Sequence, residues 1–195
     1  MNKIGLFHVN LDLDYLKKII LEKEKDIINN YPPCGHDGVL TDGETGLGLE
    51  SLTSRYFHFN VLEWKGVETL RSEIKRCYDT FTSTSQDIYV QCWANVMRDG
   101  EKINSHCHNH RSDLNIISGN LVIQSNEMST YYEGKGIRNQ EGVLTLFPGS
   151  VYHWTDTYRG KKERITVAFD VRTYKDWSED VWDDAKYHWV KLPNK

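Results

Sequence analysis

Histidine is concentrated in one part of this chain. His106, His108 and His110 fall within five positions in Ser105-His106-Cys107-His108-Asn109-His110, and His153 follows in Phe147-Pro148-Gly149-Ser150-Val151-Tyr152-His153. Neutral imidazole is a good ligand for iron, copper, nickel or zinc. Residues i and i+2 of a strand point to the same face, so His106 and His108 can reach one ion while Cys107 turns away. His108 and His110 stand in the same relation, and Asp113 adds a carboxylate within reach if the segment bends. His153 belongs to a different predicted strand and can supply a third ligand, leaving coordination positions open for substrate or dioxygen. Surface histidines in a polar loop are the plain alternative, and they account poorly for three imidazoles in five residues.

The second group with evident chemistry is Arg164, 11 residues after His153, with Thr166 on the same strand face. A guanidinium fork beside a hydroxyl can grip a carboxylate bidentately inside an otherwise apolar barrel. A salt bridge at a sheet edge is the competing reading of that arginine.

These residues need rigid elements to hold them, and the hydrophobic periodicity supplies candidates. Met1 to Val9 is short and apolar and predicts a first strand. From Asn10, a good N-cap, residues Leu13, Leu16, Ile20 and Ile27 recur at helical spacing up to the stop at Pro32-Pro33. Residues 34–53 are rich in glycine and read as a long loop, either a lid or binding loop or a merely disordered stretch. Ser54 to Leu62 has the aromatic alternation of a strand, and Val67, Leu70, Ile74, Cys77 and Phe81 predict a second amphipathic helix after Gly66.

From Asp87 the period changes to two. Ile88, Val90, Cys92, Ala94 and Val96 alternate with Tyr89, Gln91, Trp93, Asn95 and Met97, and further strands are predicted at Leu114–Gln124, Thr130–Glu133, Val143–Phe147, Val151–Asp156 and Glu163–Arg172. Many short strands at this spacing indicate an antiparallel sandwich or barrel. After Arg172, the aromatic and acidic stretch with Trp177, Val181, Trp182, Tyr187 and Trp189 predicts a short terminal helix packed on the sheet. The expected organisation is one domain over 1–195. Residues 1–85 give helical support and the 34–53 lid, 86–172 the catalytic core, and 173–195 an aromatic segment packing on it.

Composition narrows the function. The chain has 195 residues, 38% of them hydrophobic, enough for one sizeable core. A net charge of -4 without a basic stripe argues against nucleic acid or an anionic membrane as the main partner and favours a small molecule or a peptide. No apolar run approaches the roughly 20 residues of a bilayer span, so a cytoplasmic location is expected. Cys34, Cys77, Cys92 and Cys107 form no CxxC pair and are expected to be free thiols. Oligomeric state leaves no mark in the sequence.

Taken together, Trp93-x-Asn95, Gly100, His106-x-His108, Ser118-Gly119, Gly142, Phe147-Pro148, His153 and Arg164-Ile-Thr-Val-Ala-Phe169 resemble the small iron(II)/2-oxoglutarate-dependent oxygenases of phages and bacteria. The resemblance is strongest over residues 86–171. It implies a mainly β fold with flanking helices, the double-stranded β-helix or jelly roll. It makes His106, His108 and His153 the Fe(II) ligands, and Arg164 with Thr166 the clamp for the distal carboxylate of 2-oxoglutarate, with Asn95 also on the cosubstrate. The implied activity is that of a dioxygenase consuming O2 and 2-oxoglutarate to hydroxylate a C–H bond of a small molecule or peptide, releasing succinate and CO2, with ascorbate supportive in vitro. One departure stands out: the commonest ligand triad is His-x-Asp/Glu with a distal His, and here the second position is His108.

Two other classes compete. A cupin-type metalloenzyme would use a histidine-rich site, with Asp113 as a possible carboxylate, and no 2-oxoglutarate, and Arg164 separates it from the oxygenase. A non-catalytic jelly-roll module would hold a structural metal or none. Structural zinc sites are closed by four ligands and often use cysteine, whereas Cys107 alternates away from the histidine face. Substrate choice would rest with loops such as 34–53 and 125–141.

Overall fold

The computed structural model describes residues 3–33, 35–36, 39–40, 46–108, 115–174 and 189–194. Strand β1 (Gly5–His8), helix α1 (Leu13–Asn30), a hairpin of β2 (Gly35–His36) and β3 (Val39–Leu40), and helix α2 (Glu68–Thr82) come first. They are followed by β4 (Ile88–Met97), β5 (Ile117–Gln124), β6 (Ser129–Tyr132), β7 (Lys135–Arg138), β8 (Val143–Pro148), β9 (His153–Thr155), β10 (Arg164–Arg172) and β11 (Val190–Leu192). Six strands form the major antiparallel sheet in the order β1-β8-β5-β10-β4-β11, and β7-β6-β9 form a smaller sheet.

Register in the major sheet separates two chemistries. On β10, Thr166 lies opposite Asn95 and Val122, Ala168 opposite Trp93 and Asn120, and Asp170 opposite Gln91 and Ser118. Opposed residues share a face, so polar groups gather on one side of the sheet. The alternate residues Ile165, Val167, Phe169 and Val171 join Cys92, Ala94, Val96 and Leu121 on the other side. That side is closed by Leu16 and Ile20 of α1 and by Leu70, Ile74, Cys77 and Phe81 of α2. Burying each of these larger apolar side chains is worth about 1.5–3 kcal/mol. The helices therefore anchor the sheet and leave its polar face free to form a pocket.

Helix α1 buries Leu16, Ile20, Glu24 and Ile27, one stripe at helical spacing. The acid in that stripe is matched: Arg98, just past β4, donates to both Glu24 carboxylate oxygens at 2.9 and 2.7 Å. This bidentate, charge-assisted pair fixes α1 against the end of β4.

Several expectations change in detail. The N-cap of α1 is Asp12, whose carboxylate accepts from Tyr15 N at 2.9 Å, and not Asn10. Ser54 to Leu62 is not a strand: it holds two single turns of 3-10 helix, Thr53–Arg55 and Val61–Glu63. Local side-chain hydrogen bonds win there, with Ser51 Oγ accepting from Ser54 N and Asn60 Oδ1 accepting from Leu62 N. Within 34–53, Gly35–His36 pairs with Val39–Leu40, and Leu47 and Leu52 are buried. Residues 34, 37–38 and 41–45 lie outside the described residues, as do Trp177, Val181, Trp182 and Tyr187 of the expected terminal helix. Strands β7 and β11 had no clear sequence signal. Strand β11 pairs along the open edge of β4, Lys191 adding an ion pair to Asp87 at 2.6 Å.

Gly119 is required by its neighbour. It lies opposite Phe169 on the helix-covered face, and a Cβ there would run into the Phe169 ring. Gly119→Ala is expected to lower the unfolding free energy by about 1–3 kcal/mol through overpacking. Phe169→Leu in the same chain should recover part of that loss, so the double variant should be more stable than the sum of the single changes. Urea unfolding of the four proteins checks this; strict additivity would refute the contact.

Candidate metal centre

His153 stands at the start of β9, where Tyr132 of β6 faces it across the smaller sheet. The chain segment before β5 extends that sheet on the other side. His106 N donates to His153 O at 3.2 Å and His153 N to His106 O at 2.9 Å, the two-bond pairing that sends opposed side chains to one face. Two residues on, His108 N donates to Gly149 O at 2.8 Å, docking the third histidine on the turn after β8. Gly149 has no room for a side chain, since a Cβ would sit 3.1–3.2 Å from Ile116. The turn is therefore held tightly against the residues leading into β5 while its Gly149 carbonyl accepts from His108.

The three imidazoles meet. Their ligand nitrogens all lie within 4.8 Å of one another, and His106 Nε2 is 3.3 Å from His108 Nε2. Two nitrogens about 2.0–2.1 Å from one ion sit roughly 3.0–3.4 Å apart at ordinary bond angles. Each Nδ1 is engaged elsewhere: His106 with Asn104 O at 2.8 Å, His153 with Val151 O at 3.0 Å, and His108 with Asp170 Oδ1 at 2.6 Å. Bonds of this kind place the ring proton on Nδ1 and leave the Nε2 lone pair for a metal. Donor type, spacing and tautomer thus fit a divalent ion held by His106, His108 and His153. His110 and Asp113, the alternative donors, lie outside the described residues.

Electrostatics favours the neutral, ligating form. Burial, reinforced by the neighbouring His108, holds His106 down to about 4. Burial followed by repulsion from His108 and His106 holds His153 well below its ordinary value. Phe147 and Tyr132 pack on His153 at ring separations of 4.9 and 6.0 Å, and Trp93 lies 5.7 Å from His108. These aromatic walls exclude water from the imidazoles.

A second polar centre lies further along the same face of β10. Arg164 is 1% exposed, and among the described residues no carboxylate pairs with it. Asn139, oriented by its hydrogen bonds, accepts from Arg164 Nε at 3.1 Å and Nη2 at 3.0 Å and donates to Thr130 Oγ1 at 2.9 Å. Thr130 Oγ1 also accepts from Nη2 at 3.1 Å. Arg164 Nη1 is buried with no acceptor among the described residues. Burial holds the guanidinium down to about 10, still a cation at neutral pH. Beside it, burial pushes the Tyr132 phenol up to about 12, and its hydroxyl hydrogen-bonds with Thr145 and Asn120. An unpaired buried donor on a cation is costly unless an anion completes it.

Of the residues singled out in the sequence, Thr166 and Asn95 sit on this face as register partners. Asn95 Nδ2 donates to Thr166 Oγ1 at 3.4 Å, and Asn95 Oδ1 accepts from Thr53 Oγ1 at 2.6 Å. Tyr132, Asn139, Thr130 and Asp170 were not anticipated, and Ser118 stood in the family pattern without an assigned role. Asp170 shares strand parity with Arg164 and Thr166, a signal present in the sequence. The others reach the site through pairing across strands, which a linear pattern does not contain.

No family model and no curated protein sequence matches the chain. Solved structures do. The chain is similar to EctD from S. alaskensis, determined with 2-oxoglutarate and 5-hydroxyectoine, with a TM-score of 0.63 and 10% identity over 91% of this chain and 74% of that one. AviO1 from Streptomyces viridochromogenes Tue57 gives a TM-score of 0.58 at 8% identity, covering 91% and 92%. A prolyl hydroxylase from Trichoplax adhaerens, in complex with a hypoxia inducible factor oxygen degradation domain peptide fragment, gives 0.56 at 13% identity, covering 90% and 86%. At such identities the likeness carries the fold. The chain has the double-stranded β-helix, or jelly-roll, fold that these structures share.

Proposed function

We propose that this protein is an iron(II)- and 2-oxoglutarate-dependent oxygenase that hydroxylates a C–H bond of a small molecule or peptide. The observation that carries the reading is Arg164, a fully buried guanidinium whose Nη1 has no acceptor among the described residues, on the strand face that also carries the Asp170 partner of His108. A metal site alone has no use for such a group. A dicarboxylate that ligates the metal at one end and reaches a buried cation at the other accounts for both.

In this reading His106, His108 and His153 hold Fe(II). Arg164, fixed by Asn139 and Thr130, receives the far carboxylate of 2-oxoglutarate through Nη1, with the Tyr132 phenol beside it. Thr166 and Asn95 line the pocket between the two ends. Iron bound there would couple reduction of O2 to oxidative decarboxylation of 2-oxoglutarate, giving succinate, CO2 and one oxygen atom inserted into the substrate C–H bond. Trp93, Phe147 and Tyr132 exclude water around the histidines, which protects such a reaction from unproductive turnover. The cytoplasm supplies iron and 2-oxoglutarate and is the location this reading expects. No described helix is long and apolar enough to cross a membrane.

Replacing His106, His108 or His153 with Ala should remove Fe(II) binding in anaerobic titrations while leaving the circular dichroism spectrum unchanged. Loss of binding on His110→Ala with retention in His106→Ala would shift the ligand pair by two residues. Arg164→Lys keeps the charge and loses the fork, so 2-oxoglutarate should bind 10-fold or more weaker with Fe(II) affinity nearly intact, in line with the roughly 2–5 kcal/mol typical of such buried pairs. The decisive assay is uncoupled succinate formation with Fe(II), ascorbate and O2. If wild-type protein loaded with iron neither binds nor consumes 2-oxoglutarate, the cupin-type reading takes precedence.

Acidity supplies a further check. His106 titrates near 4 and His153 well below its ordinary value in the folded protein, against about 6.5 for a free histidine. Both stay neutral and able to ligate below pH 6.5, so proton competition at these two ligands should weaken iron binding only as the pH approaches about 4 to 5. The unfolded chain takes up these protons first. The metal-free fold should therefore lose stability progressively as pH falls from about 6.5 toward 4. Equilibrium dialysis and chemical unfolding across that range measure the two effects; a metal-free fold whose stability did not fall between pH 6.5 and 4 would contradict the depressed values.

A further inference from the structure

Three neutral imidazoles bring no negative charge to a metal ion. Two of them, His106 and His153, direct Nδ1 to backbone carbonyls, those of Asn104 and Val151. His108 alone directs Nδ1 to a carboxylate, Asp170 Oδ1, at 2.6 Å. The same oxygen accepts from Ser118 Oγ at 2.6 Å. Asp170 and Ser118 are direct register partners across β10 and β5, so the carboxylate is held by the sheet and not by a loop. Its side chain is 16% exposed and that of His108 11%, which limits screening by water.

We infer that Asp170 is a positioning residue for the metal centre, fixing the tautomer and ring angle of His108 and giving the three-imidazole site its negative charge through that ring. A carboxylate on Nδ1–H draws the proton toward itself and raises the electron density at Nε2, so the ligand becomes a stronger donor. The commonest triad places its carboxylate on the metal at the position His108 occupies here, and Asp170 supplies one from β10, one imidazole removed. Ser118 orients the carboxylate by occupying the second lone pair of Oδ1. The inference rests on the metal-centre reading and is independent of 2-oxoglutarate.

Asp170→Asn tests it, because the amide oxygen can still accept from both His108 and Ser118 while the charge is lost. The full-length protein, stripped of metal, is titrated anaerobically with Co(II) and with Fe(II), and the Fe(III)/Fe(II) midpoint is measured. The inference expects 10- to 100-fold weaker metal binding in Asp170→Asn, an altered Co(II) absorption spectrum and a more positive midpoint, since a nearby anion favours the ferric ion. Metal-free thermal unfolding should stay close to that of wild type. Ser118→Ala should weaken binding less, as the His108 contact remains. A measurement on wild type needs no variant: in the Zn(II)-loaded protein the His108 Nδ1–H proton should resonate further downfield than those of His106 and His153. Wild-type affinity and spectrum in Asp170→Asn, or three equivalent Nδ1–H resonances, would overturn the inference. Absence of Co(II) binding by the wild type would sink the metal-centre reading itself and this inference with it, and the two failures are thereby distinguished.

Discussion

The antiparallel pairing of β10 with both β4 and β5 is the constraint on which the rest of the structure depends. Because side chains alternate along a strand, one register fixes two surfaces at once. Ile165, Val167, Phe169 and Val171 are committed to the helix-covered core, and that commitment forces Arg164, Thr166, Ala168 and Asp170 to the opposite side. A slip of one residue would bury the arginine among Ile74 and Cys77 and turn the valines into the pocket. The apolar core thus specifies the polar site without touching it.

Charge is the second organising quantity. Burying a guanidinium without a counter-ion is unfavourable, and the protein limits the cost by satisfying Nε and Nη2 with Asn139 and Thr130. What remains is Nη1, without an acceptor among the described residues. With a divalent ion on three neutral imidazoles, plus Arg164 and minus Asp170, the pocket would carry about two positive charges, and a dicarboxylate such as 2-oxoglutarate would neutralise them. The same balance explains why the imidazoles resist protonation: a further positive charge in that enclosure is repelled by its neighbours as well as penalised by burial.

The smaller sheet has a different task. Its strands are short, and β9 spans only His153–Thr155, yet it sets the relation between His106 and His153 through two backbone hydrogen bonds. Side chains on the pairing partners Tyr132 and Thr130 then form the wall opposite β10, which is how a phenol and a hydroxyl come to stand beside Arg164. A site assembled from two sheets in this way is held on both sides by backbone pairing.

Much of this was legible in the sequence, for reasons that are local. The i, i+2 spacing of His106 and His108 specifies a common face wherever the segment is extended, and the apolar stripes of α1 and α2 follow from helical periodicity alone. The double alternation from Ile88 to Met97 announces a strand used on both faces. Residues 54–62 misled because aromatic alternation imitates a strand, while Ser51 and Asn60 offered the backbone nearer partners than any sheet edge. Only the tertiary structure decided that Asp170 belongs to His108, that Tyr132, Asn139 and Thr130 surround Arg164, and that Nη1 is left open. Each of those relations joins residues 25 to 62 positions apart, and such contacts are set by strand register and sheet closure, which a one-dimensional pattern does not encode.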